Sequence, residues 1–139
     1  MMISTRGRYA LRVMIDLAEN GSGGYIAMKD IASRQEISLK YLEKILPALV
    51  SGRLIEGVHG KGGGYRLTRR PEEYSVGEIL RLTEGDLAPV ACLSCHAETC
   101  ERSQGCKTLP MWSELNDLIN GFLNGKTLAD LLGSAPASE

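Results

Sequence analysis

Aromatic residues are scarce in this chain of 139 residues: one Trp, one Phe and five Tyr. The core must therefore be aliphatic, and so small a unit gains by burying a face against a second copy. Histidine is nearly absent. His59 and His96 lie far apart, and no nucleophile–base pairing surrounds either. No hydrolytic constellation is available, and an enzyme is not expected. Long apolar runs are missing as well. Nothing approaches the ~20 residues of a membrane span. The start, Met1-Met2-Ile3-Ser4-Thr5-Arg6, lacks the apolar core of a signal peptide. A cytoplasmic protein with no membrane partner is the expectation. At 43% hydrophobic and 24% charged residues, the composition excludes disorder across the whole chain.

Charge is unevenly placed. Residues 1–70 hold 12 Lys/Arg against 6 Asp/Glu, and residues 71–139 hold 4 against 11. The halves are thus +6 and −7, matching the net −1. A basic first half suits an anionic partner, and double-stranded DNA is the leading candidate.

Periodicity divides the chain. Residues 5–20 carry helical apolar spacing, with Thr5 as expected cap and Asn20-Gly21 as stop. Tyr25-Ile26-Ala27 reads as a short strand. A helix over 29–35 and another from Leu39 to about 51 flank a turn at Glu36-Ile37, with Ser38 as N-cap. Pro47 lies within the second helix and should kink or loosen it. Residues 54–59 and 65–67 read as two strands around the glycine-rich turn Gly60 to Gly64. A capped helix follows over 77–84, with Val76, Ile79, Leu80 and Leu82 as its apolar positions. Residues 85–108 have no periodicity. Pro110 opens a helix whose stripe is Trp112, Leu115, Leu118, Ile119 and Phe122, and a short segment spans Leu128 to Leu132.

Helix, helix and hairpin in this order make a winged helix-turn-helix. The fold class is mainly α with a small β-wing, plus a long C-terminal helix. Helix 39–51 would face a DNA groove with Ser38, Lys40, Tyr41, Glu43 and Lys44. Lysines suit phosphates, and Glu43 can accept from a cytosine amino group. The wing adds His59, Lys61 and Arg66, with Arg69-Arg70 behind it. A pair of helices with exposed lysines is by itself an ordinary solvated surface; the wing and the +6 half strengthen the DNA reading. The Gly-Lys-Gly-Gly-Gly run at 60–64 lacks the order of a phosphate loop, so a nucleotide site is rejected.

All four cysteines, Cys92, Cys95, Cys100 and Cys106, fall within 15 residues. Clustered thiols in a reducing compartment indicate metal or redox chemistry. Their spacing leaves an iron–sulfur cluster and zinc level, with free or reversibly oxidised thiols as the third possibility. His96 lies in the same loop.

STRGRYALRVMIDLA at 4–18, DIASRQEISLKYLEKIL at 30–46, GKGGGYRL at 60–67 and GEILRLTEG at 77–85 together resemble the family of IscR-type transcription regulators, over roughly residues 2–132. The resemblance implies a winged-helix homodimer. Its long helix, matching 110–123, would carry dimerisation through Trp112, Leu115, Leu118, Ile119 and Phe122. It implies a 2Fe–2S cluster on Cys92, Cys100 and Cys106, with iron–sulfur donor proteins as partners and control of cluster-assembly or related stress genes. Ser38, Tyr41 and Glu43 match the family's recognition helix, where the glutamate helps separate classes of DNA site. Two departures matter. IscR-type members place a histidine where Leu109 stands, and NsrR-type members place an acidic residue where Arg8 stands. Cys95, ahead of His96, is left as the fourth ligand. CymR-type members lack the cysteines, and a cluster-free or zinc-binding regulator is the alternative. The expected organisation is a DNA-binding domain over 1–84, a cysteine-rich loop over 85–108, a dimerisation helix and short segment over 109–132, and a disordered tail over 133–139.

Overall fold

The computed structural model describes residues 3–94, 98, 101–102 and 104–133. Six helices and one hairpin follow in order: α1 (Thr5–Asn20), α2 (Met28–Gln35), α3 (Leu39–Ser51), β1 (Ile55–Val58), β2 (Gly64–Leu67), α4 (Val76–Glu84), α5 (Leu109–Gly125) and α6 (Leu128–Leu132). Single 3-10 turns lie at Pro71–Glu73 and Ala91–Leu93. The expected mainly helical fold with a small β-wing is what is found. None of the described helices is long and apolar enough to cross a membrane.

α1 is the central element. It packs on α2, α3, α4, α6 and β2. Its buried positions Ala10, Val13, Met14 and Leu17 meet Ile31 of α2, Leu42, Ile45, Leu46 and Leu49 of α3, Leu54, Ile55, Ile79 and Leu128 in one aliphatic core. Such burial of whole Leu and Ile side chains contributes about 1.5–3 kcal/mol each before entropy is counted. Val76, Leu80 and Leu87 form a second, smaller cluster, against which Leu123 of α5 and Leu131 of α6 pack.

The start of α1 corrects one expectation. Ser4, not Thr5, is the N-cap: its backbone is extended and its hydroxyl accepts from Gly7 N–H at 3.2 Å. Thr5 is already helical. Ser4 is also held from outside, its backbone N–H donating to Glu84 at 3.0 Å. Pro47 does not interrupt α3, which runs on to Ser51. The ring stands on the exposed face, while the flanking Leu46 and Leu49 are fully buried and hold the turn in place. The expected strand at 25–27 is reduced to one bridge, in which Ile26 and Tyr65 exchange two backbone hydrogen bonds of 2.8 Å. Of the apolar positions of α4, Leu82 is exposed rather than buried and lies over Gly52.

The hairpin is antiparallel, with Ile55 opposite Leu67 and Glu56 opposite Arg66. Tyr74 anchors its base. The buried phenol donates to Leu54 carbonyl at 2.7 Å and accepts from the backbone N–H groups of Thr68 at 2.9 Å and Arg69 at 3.0 Å. After α5 the chain folds back. Leu128 N–H donates to Tyr74 carbonyl at 3.0 Å and Val76 N–H to Lys126 carbonyl at 2.8 Å, so α6 closes over the same core as the wing.

Candidate nucleic-acid interface and cysteine loop

α2 and α3 meet at a tight turn whose chemistry is local. Glu36 adopts the left-handed conformation (φ 54°) and ends α2. Ile37 plugs the core at 4% exposure, and Ser38 accepts from Tyr41 N–H at 3.1 Å to start α3. With Leu42, Ile45, Leu46 and Leu49 facing inward, Lys40, Glu43 and Lys44 must face solvent, and they do. None of the three has an ion-pair partner among the described residues.

The remaining expected contacts divide. His59 and Lys61 are exposed at the wing and carry no ion pair among the described residues. Ser38 is exposed, but its hydroxyl serves the cap. Tyr41 is half-buried, its ring edge-on to Tyr9 at 5.2 Å, with the Arg12 guanidinium over the other tyrosine. Arg66 bonds the cross-strand Glu56 and lies 4.5 Å over the Tyr25 ring. Its bond to Glu56 holds the guanidinium pKa above its ordinary value. Arg69 is likewise taken up by Glu78 at 2.7 Å and by the Tyr74 face at 4.4 Å. Both arginines are thus engaged within the wing while still part-exposed, whereas the lysines have no such partner.

One group escaped the reading of the sequence. Asp16 is buried at 1% exposure on the core face of α1. It accepts two hydrogen bonds from Arg34, at 2.8 and 3.0 Å, and one from Gln35 Nε2 at 3.0 Å. Arg12 completes the cluster by donating to the Gln35 carbonyl and, at 3.3 Å, to Gln35 Oε1. The signal was present: an acidic residue flanked by Val13, Met14 and Leu17 has no place on an apolar face unless it is paired.

Of the cysteines, Cys92 sits exposed in the 3-10 turn, and Cys106 is half-buried just before α5. Cys95, Cys100 and His96 lie outside the described residues, as do residues 134–139 of the expected disordered tail. The first part of the loop is tied down by Asp86, which accepts from Ala88 N–H at 2.8 Å and from the Ser94 hydroxyl. Leu87 is buried beside it. The Thr108 hydroxyl, 3.4 Å from Cys106 Sγ, and then the backbone N–H groups of Thr108 and Leu109 pull this thiol below the ordinary range. Helix N-terminal N–H groups favour thiolate, the form that binds metals. The two described thiols, Cys92 and Cys106, are of the donor type a thiolate-bound metal group would take. No cluster of three or more ligand side chains forms among the described residues.

α5 buries none of its residues fully. Trp112, Leu115 and Ile119 are half-buried, whereas Leu118 and Phe122 are 65% and 64% exposed. Ile3, Leu118, Ile119, Phe122 and Leu123 line an open apolar hollow. Arg81 ties the helix to α4 by donating to Asn120 and Asn124, each at 2.7 Å.

Residues 3–134 match the Rrf2 family, described as an iron-dependent transcriptional regulator. The chain is 36% identical over 133 residues to the HTH-type transcriptional regulator IscR of Aliivibrio salmonicida, covering 95% of this chain and 77% of that one. Its fold is similar to that of CymR, the global cysteine regulator of B. subtilis, at TM-score 0.76 and 32% identity over 95% of this chain and 96% of that one. It is also similar to IscR of T. potens, at TM-score 0.72 and 32% identity over 95% and 86% of the two chains.

Proposed function

The chain belongs to the Rrf2 family of transcriptional regulators, and from that premise we propose that it is a DNA-binding homodimer whose cysteine loop holds a 2Fe–2S cluster. The observation that carries the DNA reading is the sorting of charge. Arg34, Arg66, Arg69 and Arg70 are each paired with a carboxylate. Lys40 and Lys44 on α3 and Lys61 at the wing tip are not. Arg6, Arg8, Lys29 and Arg53 have no ion pair among the described residues either. What fits a duplex is that Lys40 and Lys44 share the exposed face of α3 and Lys61 the hairpin tip, with α3 in the major groove and the wing on the flanking backbone. Glu43, exposed between the two lysines, reads a base edge. His59 adds a polar contact from the wing.

Dimerisation follows from α5. An apolar face carrying Leu118 and Phe122 mostly exposed is unfavourable in water, and a second copy covers it with the same stripe. Two recognition helices then meet two half-sites about one helical turn, roughly 34 Å, apart.

In the cluster reading, Cys92, Cys100 and Cys106 supply three ligands and Cys95 the fourth. Leu109 has no donor atom. Arg8, exposed on α1 and donating to Thr5 at 3.2 Å, is a cation and cannot ligate. A 2Fe–2S cluster supplies reversible redox chemistry and sensitivity to iron supply. The residues of the chain do the rest. Cys106 lies at the head of α5, so its engagement bears directly on the dimer helix. Asp86 and Leu87 fix the opposite end of the loop. Genes for cluster assembly or related stress responses are the targets we assign to such a sensor.

Anaerobic purification tests the assignment. A visible thiolate-to-iron absorption band with iron and acid-labile sulfide in equal amounts is the expected result. Colourless protein containing zinc would give the loop a structural metal instead. Metal-free protein that retains DNA binding would leave regulation to thiol oxidation or a partner.

A further inference from the structure

Asp16 is the only buried charged residue among the described residues. Burying an ionised carboxylate is costly unless its oxygens are fully engaged. Here every partner comes from the last turn of α2. Arg34 presents its fork to both oxygens, and Gln35 bonds one of them through its side chain. Gln35 is then gripped a second time by Arg12, through both its carbonyl and its amide oxygen. Arg12 and Asp16 are one helical turn apart on α1. The four residues therefore clamp two helices at one point. The next residue is the left-handed Glu36, followed by Ile37 and the Ser38 cap. The clamp sits at the pivot from which α3 departs.

Aliphatic packing could join α1 and α2 at less cost, but apolar surfaces tolerate sliding. A bidentate guanidinium–carboxylate pair with satisfied lone pairs has one geometry. We propose that Arg12, Asp16, Arg34 and Gln35 are positioning residues that set the angle of α3 and so separate specific from non-specific DNA binding. The proposal rests on the reading that α3 enters the groove. Phosphate contacts survive a few degrees of tilt, whereas base-edge hydrogen bonds do not.

The test uses the full chain. Wild-type protein enriches duplexes from a random-sequence library, and one enriched duplex is compared with a scrambled duplex of the same composition. Affinities for both are measured by fluorescence anisotropy for wild type, Asp16→Asn, Arg34→Lys and Arg12→Met, at a temperature where circular dichroism shows each fully folded. The expected result for Asp16→Asn is a fall of about tenfold in the enriched-to-scrambled affinity ratio, comparable to losing one base contact. Affinity for the scrambled duplex and its salt dependence stay unchanged. Arg34→Lys keeps the charge but loses the fork, and gives a smaller fall. A merely structural clamp would lower the melting temperature and leave the ratio alone; that result in all three variants overturns the proposal. Should Asp16→Asn fail to fold, Arg34→Lys and Arg12→Met decide on the same ratio. If wild type enriches no duplex at all, the DNA reading falls and the clamp with it. Enrichment by wild type with unchanged ratios in the variants overturns the clamp alone.

Discussion

Single residues in this protein separate into those that build and those that face outward, and the glycines of the wing show how. A Cβ on Gly64 would lie 2.2 Å from Ile26 carbonyl oxygen and 2.8 Å from Ala27 N, both backbone. Neither neighbour can swing away, so the bare backbone at Gly64 is what lets residues 25–27 pair with β2. Gly62, by contrast, has φ +78° and nothing within 4 Å; it serves the turn itself. Gly64→Ala should destabilise the fold by about 2 kcal/mol or more, because backbone must move. Chemical denaturation checks it. The outward residues give a second prediction. Lys40→Ala, Lys44→Ala or Lys61→Ala should each weaken binding to all duplexes and reduce the salt slope by about 1. Glu43→Ala should instead change sequence preference, by about 1–3 kcal/mol at one base position. Arg66→Ala should reduce the salt slope less than Lys61→Ala does, since Glu56 shares that charge, and should change the melting temperature little because the pair is half-exposed. A duplex panel titrated at two salt concentrations separates these patterns. Lys61 and Arg66 look alike in sequence; only the register of Glu56 opposite Arg66 tells them apart.

Whole elements were legible where one rule dominated. The spacing of Leu42, Ile45, Leu46 and Leu49 leaves α3 no other inward face, and Ser38 marks its start. The last segment, Leu128 to Leu132, coincides with α6. What could not be read there was its role, since the backbone bonds that seat it, to the Tyr74 carbonyl and from the Val76 N–H, are long-range. The same holds for Asp16, whose partners lie 18 and 19 positions away. Local periodicity carries no information about such pairings. Pro47 shows the opposite limit: its intrinsic cost is legible locally, but the burial of Leu46 and Leu49 beside it, in a helix that runs on to Ser51, is not. α6 offers a test of local capping. Thr127 N–H donates to Asp130 at 2.9 Å, and Asp130 N–H donates to the Thr127 hydroxyl at 3.1 Å. The Thr127 backbone N–H and, after it, the Thr127 side chain hold the Asp130 carboxyl below its ordinary 3.8. A carboxyl whose folded pKa is depressed contributes stability above its unfolded value and loses it as pH falls through the folded one. Asp130→Asn should therefore be less stable than wild type at neutral pH. The gap should close as pH drops below about 3.8, where the protonated wild-type side chain resembles the amide. Melting curves from pH 7 to 3 check the convergence.

At the scale of the molecule, the basic first half and acidic second half find a physical division of labour. The first half presents unpaired lysines on α3 and the wing. The second carries α5, whose apolar face the rest of the chain covers only in part. That face grades outward: Trp112, Leu115 and Ile119 are half-buried against their own chain, and Leu118 and Phe122 point away at 65% and 64% exposure. The gradient decides which substitution reads the interface cleanly. A charge at Leu115 or Ile119 would disturb both the protomer and any dimer, so loss of assembly there would be ambiguous. A charge at Leu118 meets water in the single chain and a second apolar stripe in the dimer. Leu118→Asp should leave the protomer's circular dichroism and melting transition measured at low concentration intact. It should shift the mass by light scattering from dimer to monomer. Affinity for a two-half-site duplex should fall by about 100-fold or more, because the second recognition helix no longer arrives at the high effective concentration that tethering provides. Binding to a single half-site should hardly change. A Leu118→Asp protein that remains dimeric would move the interface away from α5, and a monomer that keeps full affinity for the paired site would remove the need for a dimer altogether.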